Sequence, residues 1–161
     1  MRKDAKRRGS LFISLWFLLG LSLSARQAIE LSKGQSLYVP VYSHIYWGST
    51  QRQYNLACTL SIRNVDPRHS LVVTHVDYHD TGGKKIRSYL EKPARIPPLG
   101  TLEYYIEEKD TQGGSGANFI VRWTSQESMN APIVQTVMIG VEAAQGISFT
   151  CEGRAIAEYD K

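Results

Sequence analysis

Alternation of apolar and polar residues with a period of two is the feature that most restricts how this chain can fold. This period is typical of half-buried β-strands. The clearest run spans residues 54–63 and places one apolar set on one face, at Leu56, Cys58, Leu60 and Ile62. A second run predicts another inward-facing set, at Val72, Thr74, Val76 and Tyr78. No segment carries a helical stripe over three turns, so the pattern predicts an all-β protein.

The alternating segments indicate about eight strands. They span residues 37–41, 54–63, 72–78, 84–90, 102–107, 118–124, 133–141 and 147–156. Turn sequences separate them, with Asp80 to Gly83 as a predicted hairpin turn and Pro97 to Gly100 as a loop. Short strands at this spacing predict a single immunoglobulin-like antiparallel β-sandwich over residues 36–158. Residues 26–35 are expected to form a solvated lead-in to that domain.

The first 25 residues have the pattern of a secretory signal. Residues 1–10 hold five basic side chains against the single acid Asp4, and residues 11–25 carry no charge and end in small residues. An apolar stretch of about 15 helical residues spans about 22 Å, less than the roughly 30 Å of hydrocarbon in a bilayer. A cleaved signal peptide is therefore favoured over an uncleaved anchor. Either way, we expect the domain to be exported to the periplasm or beyond.

The apparent basicity of the chain comes from this leader. Residues 1–25 hold 5 of the 19 basic and 1 of the 15 acidic residues, which leaves 14 of each and no net charge with neutral histidine. We therefore do not infer a nucleic-acid partner from the sequence pI of about 9.1. No stable membrane span is expected unless the leader stays uncleaved.

Cys58 and Cys151 are the two cysteines of the chain. Both fall on the apolar side of predicted strands, and export would permit a disulfide between them. The alternative is a pair of reduced thiols that pack as small hydrophobic side chains. The sequence leaves both possibilities open.

One strand carries three metal-ligating residue types. Alternation places His75, Asp77 and His79 on one face, with neighbours about 7 Å apart. Two imidazoles and a carboxylate suit zinc, copper or nickel, with a further ligand from His44 or His69. The outer two lie too far apart to share one ion on a flat strand, and a solvated polar face explains the same pattern.

Aromatic residues crowd the segment 38–48, where Tyr42, His44, Tyr46 and Trp47 lie beside a Gly/Ser turn. Such residues could stack on a sugar, anchor a protein partner or plug one end of the sandwich. The glycine-rich stretch 113–116 precedes a strand that begins near Asn118 and lacks the lysine of a phosphate-binding loop. We therefore interpret it as a tight loop, and nominate a surface that joins segments 42–48 and 111–118.

No catalytic signature is present. Ser43 and His44 are adjacent in sequence, but a triad requires convergence in space, and the common nucleophile and metalloprotease motifs do not occur. We expect no enzyme activity and no cofactor.

Several strings resemble a bacterial exported family known as domain of unknown function 3124. They include YVPVYSHIYWG (38–48), VDYHDTGGKKIRSYL (76–90), GGSGANFIVRW (113–123) and GISFTCEGRAI (146–156). The resemblance spans nearly all of the chain after the leader and implies an exported domain with no assigned chemistry. The residues that carry it include Tyr42, Ser43, His44, Arg63, Asn64, Gly114, Gly116, Asn118 and Trp123.

The leading functional hypothesis is therefore a non-enzymatic binding or structural module with a protein or glycan partner in the cell envelope. Its candidate binding residues are Tyr42, His44, Tyr46, Trp47 and Asn118. The alternative is a periplasmic transition-metal-binding protein that uses His75, Asp77 and His79.

Overall fold

The computed structural model describes residues 31–142 and 144–159, and the signal segment predicted over residues 1–25 lies outside them. All regular structure in the described residues is β-strand. The strands are β1 (Leu31–Val41), β2 (His44–Trp47), β3 (Arg52–Asn55), β4 (Ala57–Arg63), β5 (Leu71–His79), β6 (Lys85–Ser88), β7 (Ala94–Ile96), β8 (Thr101–Ile106), β9 (Ala117–Asn130), β10 (Ile133–Glu142), β11 (Gln145–Glu152) and β12 (Arg154–Glu158).

Two antiparallel sheets form the body of the fold. The six-stranded sheet has the order β12-β1-β9-β5-β6, with β7 also paired to β5, and the four-stranded sheet has the order β11-β10-β4-β8. β2 and β3 form a separate two-stranded hairpin. One apolar core takes side chains from both main sheets, including Val39, Phe119 and Trp123 from the first and Leu60 and Met138 from the second. The all-β, sandwich-like prediction is confirmed at this level.

The predicted count of about eight strands is too low for the described residues, which form twelve. Two predicted strands are each divided in the structure, at Leu56 and at Gly153, and the short strands β2 and β7 were not predicted. The division at Gly153 changes the topology, because β11 belongs to one sheet and β12 to the other. A Cβ at Gly153 would lie 2.9 Å from the Val134 carbonyl oxygen, so only glycine fits this crossing without a shift.

The inward set of residues 54–63 is predicted correctly, since Leu56, Cys58, Leu60 and Ile62 are all buried. The set predicted for β5 is correct only in its second half, at Val76 and Tyr78. A register shift between Val73 and His75 reverses the alternation, so that Leu71 and Val73 face the core in place of Val72 and Thr74. A bulge of this kind changes which residues face inward without leaving a mark on composition.

The first strand begins earlier than predicted, and residues 26–30 of the predicted lead-in lie outside the described residues. Residues 31–35 were expected in a solvated lead-in, but they belong to β1, where Gln35 pairs with Trp123 of β9 and is buried. The polar residues Ser32, Gln35 and Ser36 hide this part of the strand from a search for apolar alternation. Within the described residues, no helix is long and apolar enough to cross a membrane.

Candidate functional site

Segment 42–48 and the glycine-rich loop 111–116 are hydrogen-bonded to each other at one end of the sandwich. The Ser43 amide donates to the Gly114 carbonyl oxygen at 3.0 Å, and the Ser43 hydroxyl lies 3.0 Å from the Tyr78 hydroxyl. The Ser43 carbonyl oxygen accepts the Leu56 amide at 2.9 Å. Ser43 is thus buried and joins three parts of the chain.

The glycine-rich loop is built around Thr81. The Thr81 amide and hydroxyl both donate to the Gly113 carbonyl oxygen, at 2.9 and 3.0 Å, and the Gly116 amide donates to the Thr81 hydroxyl at 3.0 Å. Gly114 has a φ of +79°, and a Cβ at Gly113 would overlap the Tyr78 hydroxyl. These glycines therefore permit a close backbone approach, as the tight-loop interpretation requires.

Three of the five predicted binding residues have packing roles. Tyr42 makes an edge contact with Phe149, with ring centroids 5.7 Å apart. His44 is only 7% exposed, and its Nε2 lies 3.2 Å from the Tyr46 hydroxyl. Asn118 is buried in the six-stranded sheet between Pro40 and His79. Tyr42 is thus partly buried, and His44 and Asn118 are buried.

Tyr46 and Trp47 are exposed, at 53% and 47%. Both lie on the β2–β3 hairpin, which packs against the rest of the domain through Ile45 and Tyr54. The Arg52 guanidinium carbon lies 4.8 Å from the centroid of the Trp47 ring. Arg52 is directly opposite Trp47 in the hairpin pairing, so the indole is held in place at the surface.

Trp47 lines a groove of about 660 Å³ between the β2–β3 hairpin and the adjoining ends of β10 and β11. Its walls are mostly apolar, with one carboxylate and one guanidinium. The lining residues are Ile45, Trp47, Arg52, Tyr54, Glu142, Gln145, Gly146 and Ile147. A concave apolar surface with a few polar groups is the usual form of a ligand-binding site.

Tyr54 holds the two sides of this groove together. Its hydroxyl donates to the Gln145 carbonyl oxygen at 2.8 Å. A Cβ at Gly140 would lie 2.5 Å from Cε1 of the Tyr54 ring, so the ring occupies the space that a side chain at Gly140 would need. Because Gly140 has no side chain, the Tyr54 ring can pack close to β10 and form this wall of the groove.

Of the predicted binding residues, only Trp47 lines the groove. The other lining residues come from β2, β3, β10 and β11, and only the topology brings β10 and β11 close to Trp47. Arg52 and Tyr54 lie close to Trp47 in sequence, and a hairpin signal at Gly48 to Gln51 could have identified them. The φ angles of Gly48 and Gln51 are +68° and +51°, as in a tight turn. No comparable signal connects residues 142–147 with Trp47.

His75, Asp77 and His79 do lie on one face of β5, the face turned away from the core. Lys85 Nζ lies 2.7 Å from Asp77 Oδ1, and the Ser88 hydroxyl donates to the same oxygen at 2.9 Å. Burial alone would raise the pKa of Asp77, but Lys85 and Ser88 outweigh it and hold the pKa below its usual value. Among the described residues, no group of three or more His, Cys, Asp and Glu side chains could hold a metal ion.

Cys58 and Cys151 are both free thiols in the structure. Cys58 is on β4 and Cys151 on β11, and β10 lies between these strands. Two inter-strand spacings separate the Cα atoms by at least about 9.5 Å, whereas a disulfide needs about 4.4–6.8 Å. Burial, followed by the nearby Cys151 thiol, raises the pKa of Cys58 to about 12. The geometry therefore corresponds to the reduced alternative.

Asn64 has a structural role beside a buried carboxylate. Its Nδ2 donates to the carbonyl oxygens of His69 and Pro97, at 2.8 and 2.9 Å, and its Oδ1 accepts the Asp66 amide at 3.0 Å. Asp66 in turn accepts backbone amides from Arg68, His69 and Asn130. These donors, led by Arg68 and Asn130, hold the pKa of Asp66 well below its usual value.

A family model described as "Protein of unknown function (DUF3124)" matches residues 34–156. The chain belongs to this family. The match covers the segment from Gly34 in β1 to the middle of β12, which includes every residue that lines the groove. Family membership confirms the resemblance seen in the sequence and assigns no activity.

No curated protein matches the chain. A solved structure described as the crystal structure of Thermotoga maritima 1070 is similar, with a TM-score of 0.44 and 12% sequence identity. The alignment covers 74% of this chain and 92% of that one. A likeness at this level says nothing about function.

Proposed function

We propose that the protein is an exported, non-enzymatic binding module with an immunoglobulin-like fold, and that its ligand occupies the groove beside Trp47. The observation that carries the proposal is the exposed indole, fixed by Arg52 at the mouth of an apolar groove. Large aromatic side chains at such positions supply most of the binding energy in many protein interfaces.

The composition of the groove favours binding over catalysis. Its titratable groups are the guanidinium of Arg52, the carboxylate of Glu142 and the phenol of Tyr54. The phenol already donates to a backbone carbonyl oxygen, and the guanidinium already stacks on the indole. A nucleophile with an adjacent base is therefore not among the lining side chains.

Export of the module is supported by the leader pattern at residues 1–25. A groove of this kind on a protein outside the cytoplasm would meet envelope proteins and glycans. The proposed partner is a component of the cell envelope, and the chain after the leader carries no excess of basic residues that would attract nucleic acid.

A screen with two sets of immobilised probes tests the proposal. The purified protein is applied to a random nonapeptide library and to an array of bacterial envelope glycans, and bound probes are remeasured with Trp47→Ala. We expect at least one probe to lose about tenfold or more in affinity, because truncation of an interface tryptophan commonly costs more than 1.4 kcal/mol.

Tyr38→Ala provides the matched control. Tyr38 is also a partly exposed aromatic residue, but it lies on β1 in the other main sheet, outside the groove. Its replacement should leave the same probe bound. Absence of any bound probe, or equal binding by wild type and Trp47→Ala, would contradict the proposal.

A further inference from the structure

One strand edge beside the groove lacks the features that normally prevent strand pairing. β11 is at the edge of the four-stranded sheet, and its eight residues pair with β10 without a register shift. It contains no proline, lysine or arginine, and its one charged residue is the terminal Glu152. Exposed edges usually carry charges, prolines or bulges that block the addition of another strand.

The other edge strands differ in this respect. β12 has five residues, begins with Arg154 and is paired to β1 across a bulge, and β8 carries Glu103 near its centre. β6 has only four residues and includes Lys85 and Arg87. Among the described strands, β11 is thus the longest edge, and its one charged residue lies at its end.

The direction of the backbone groups of β11 follows from its pairing. The Gly153 amide donates to the Val134 carbonyl oxygen of β10 at 2.7 Å. Backbone groups alternate in direction along a strand, so residues of odd number in β11 bond to β10. The N–H and C=O groups that point to the open edge are those of Gly146, Ser148, Thr150 and Glu152.

The open edge and the groove are continuous, because Gln145, Gly146 and Ile147 of β11 also line the groove. We propose that the ligand of the groove is an extended polypeptide segment that pairs with β11 as a fifth strand and places an apolar side chain beside Trp47. This inference rests on the proposed function and names the class of ligand for the same site. Strand addition supplies affinity through main-chain hydrogen bonds and specificity through a side-chain pocket.

The charges at the two ends of β11 specify the partner further. Glu142 pairs with Gln145 at one end, Glu152 ends the strand, and neither forms an ion pair within the described residues. Seven residue steps place these positions about 24 Å apart along the strand. A partner with an apolar centre and a lysine or arginine near each end would complement them.

Two other occupants fit the site less well. A second copy could pair through its own β11, with Ser148 of one copy opposite Thr150 of the other. This register would place Glu152 of one copy beside Gly146 of the other, near the carboxylate of Glu142, and would bring no apolar side chain to the groove. A sugar would find one face of the Trp47 indole already covered by Arg52, in a groove whose walls are mostly apolar.

The experiment measures the affinity of the tightest nonapeptide from a random library for the wild type and for three variants. Ser148→Pro removes one outward N–H and is tolerated at an edge, whereas Ser148→Ala keeps that N–H as the matched control. We expect Ser148→Pro and Trp47→Ala each to weaken binding by about tenfold or more, and Ser148→Ala to change it by less than about twofold.

N-methylation of the peptide, one amide at a time, gives a second measurement that does not depend on the folding of Ser148→Pro. Strand addition predicts that methylation at alternate positions abolishes binding and that methylation between them does not. If Trp47→Ala weakens binding but Ser148→Pro and the methyl scan have no effect, strand addition is wrong and the groove proposal stands.

The remaining outcomes also decide the question. If none of the changes affects binding, both proposals fail. If only glycans bind in a Trp47-dependent manner, the polypeptide ligand is wrong. A dimer in sedimentation experiments that Ser148→Pro dissociates would assign the β11 edge to a second copy of the chain and overturn the inference.

Discussion

The guanidinium of Arg52 lies 4.8 Å from the centre of the Trp47 indole, directly across the β2–β3 hairpin. This contact keeps a large apolar side chain in one position at the surface, where its free ring would otherwise be mobile. A side chain that is already fixed before a ligand arrives loses less conformational entropy when the ligand binds. Under the proposed function, the pair therefore prepares the groove for a ligand more than it stabilises the domain.

Stability should depend little on Trp47. A cation–π contact at an exposed site contributes about 0.5–1 kcal/mol, so Trp47→Ala should lower the free energy of unfolding by about 1 kcal/mol. Trp123 is fully buried, and Trp123→Ala should cost about 3–5 kcal/mol. Urea unfolding of the two variants checks the difference. Equal losses would mean that Trp47 is a core residue and has no role reserved for a ligand.

Gly140→Ala should destabilise the domain and disturb the groove. Its Cβ would lie 2.5 Å from Tyr54 Cε1, 2.7 Å from the Asn55 carbonyl oxygen and 2.9 Å from Leu56 Cδ2, which predicts a loss of about 1–3 kcal/mol. Gly146→Ala is the control, since its Cβ would meet only the Gly140 carbonyl oxygen at 4.0 Å. Thermal unfolding should separate the two variants; a wild-type transition in Gly140→Ala would show that Tyr54 does not occupy this space.

Asp66 should control the loss of stability in acid. Its pKa is lower in the folded protein than in the unfolded chain, chiefly because backbone amides of Arg68 and Asn130 donate to it. The contribution of the Asp66 carboxylate to the free energy of unfolding is therefore complete above the unfolded pKa of about 3.9 and falls as the pH drops below that value. Asp66→Asn should be less stable at pH 7 and should show a shallower decline between about pH 5 and pH 2. Parallel pH profiles for wild type and variant would contradict this assignment.

The thiols should be reduced and unequal in reactivity. Because burial raises the pKa of Cys58 to about 12, we expect a thiol reagent at pH 8 to leave Cys58 unmodified in the native protein. Cys151 is partly exposed and should react slowly, and both should react after unfolding. Mass spectrometry of the modified protein, with Cys151→Ser as a control, counts the sites. No reaction in unfolded, unreduced protein would indicate a disulfide.

The sequence predicts the parts of the fold that depend on local alternation. The inward set of residues 54–63 is correct because their apolar residues Leu56, Cys58, Leu60 and Ile62 keep one parity, and no bulge interrupts it. The inward set predicted for β5 is wrong where the strand has a bulge. The division at Gly153 was missed because one continuous β-like segment of sequence passes from one sheet to the other there. Both depend on the positions of neighbouring strands, which a one-dimensional pattern does not contain.

The candidate site likewise combines residues that the local sequence identifies with residues that only the topology brings together. Trp47 could be nominated because an aromatic residue beside a turn is visible in the sequence, but Tyr42 and His44 are also aromatic and pack inward. Glu142, Gln145 and Ile147 complete the groove from a hairpin almost 100 residues further along the chain. Only the topology places that hairpin beside Tyr54.

Occupation of the groove can be measured through the accessibility of Trp47. Trp47 and Trp123 are the two tryptophans of the described residues, and the fluorescence that disappears in Trp47→Phe isolates the exposed indole. With the tightest nonapeptide or glycan probe at saturation, we predict that acrylamide quenching of Trp47 falls by half or more, while that of Trp123 is unchanged. Unchanged quenching of Trp47 at saturation would show that the ligand binds elsewhere and would contradict the account of the groove.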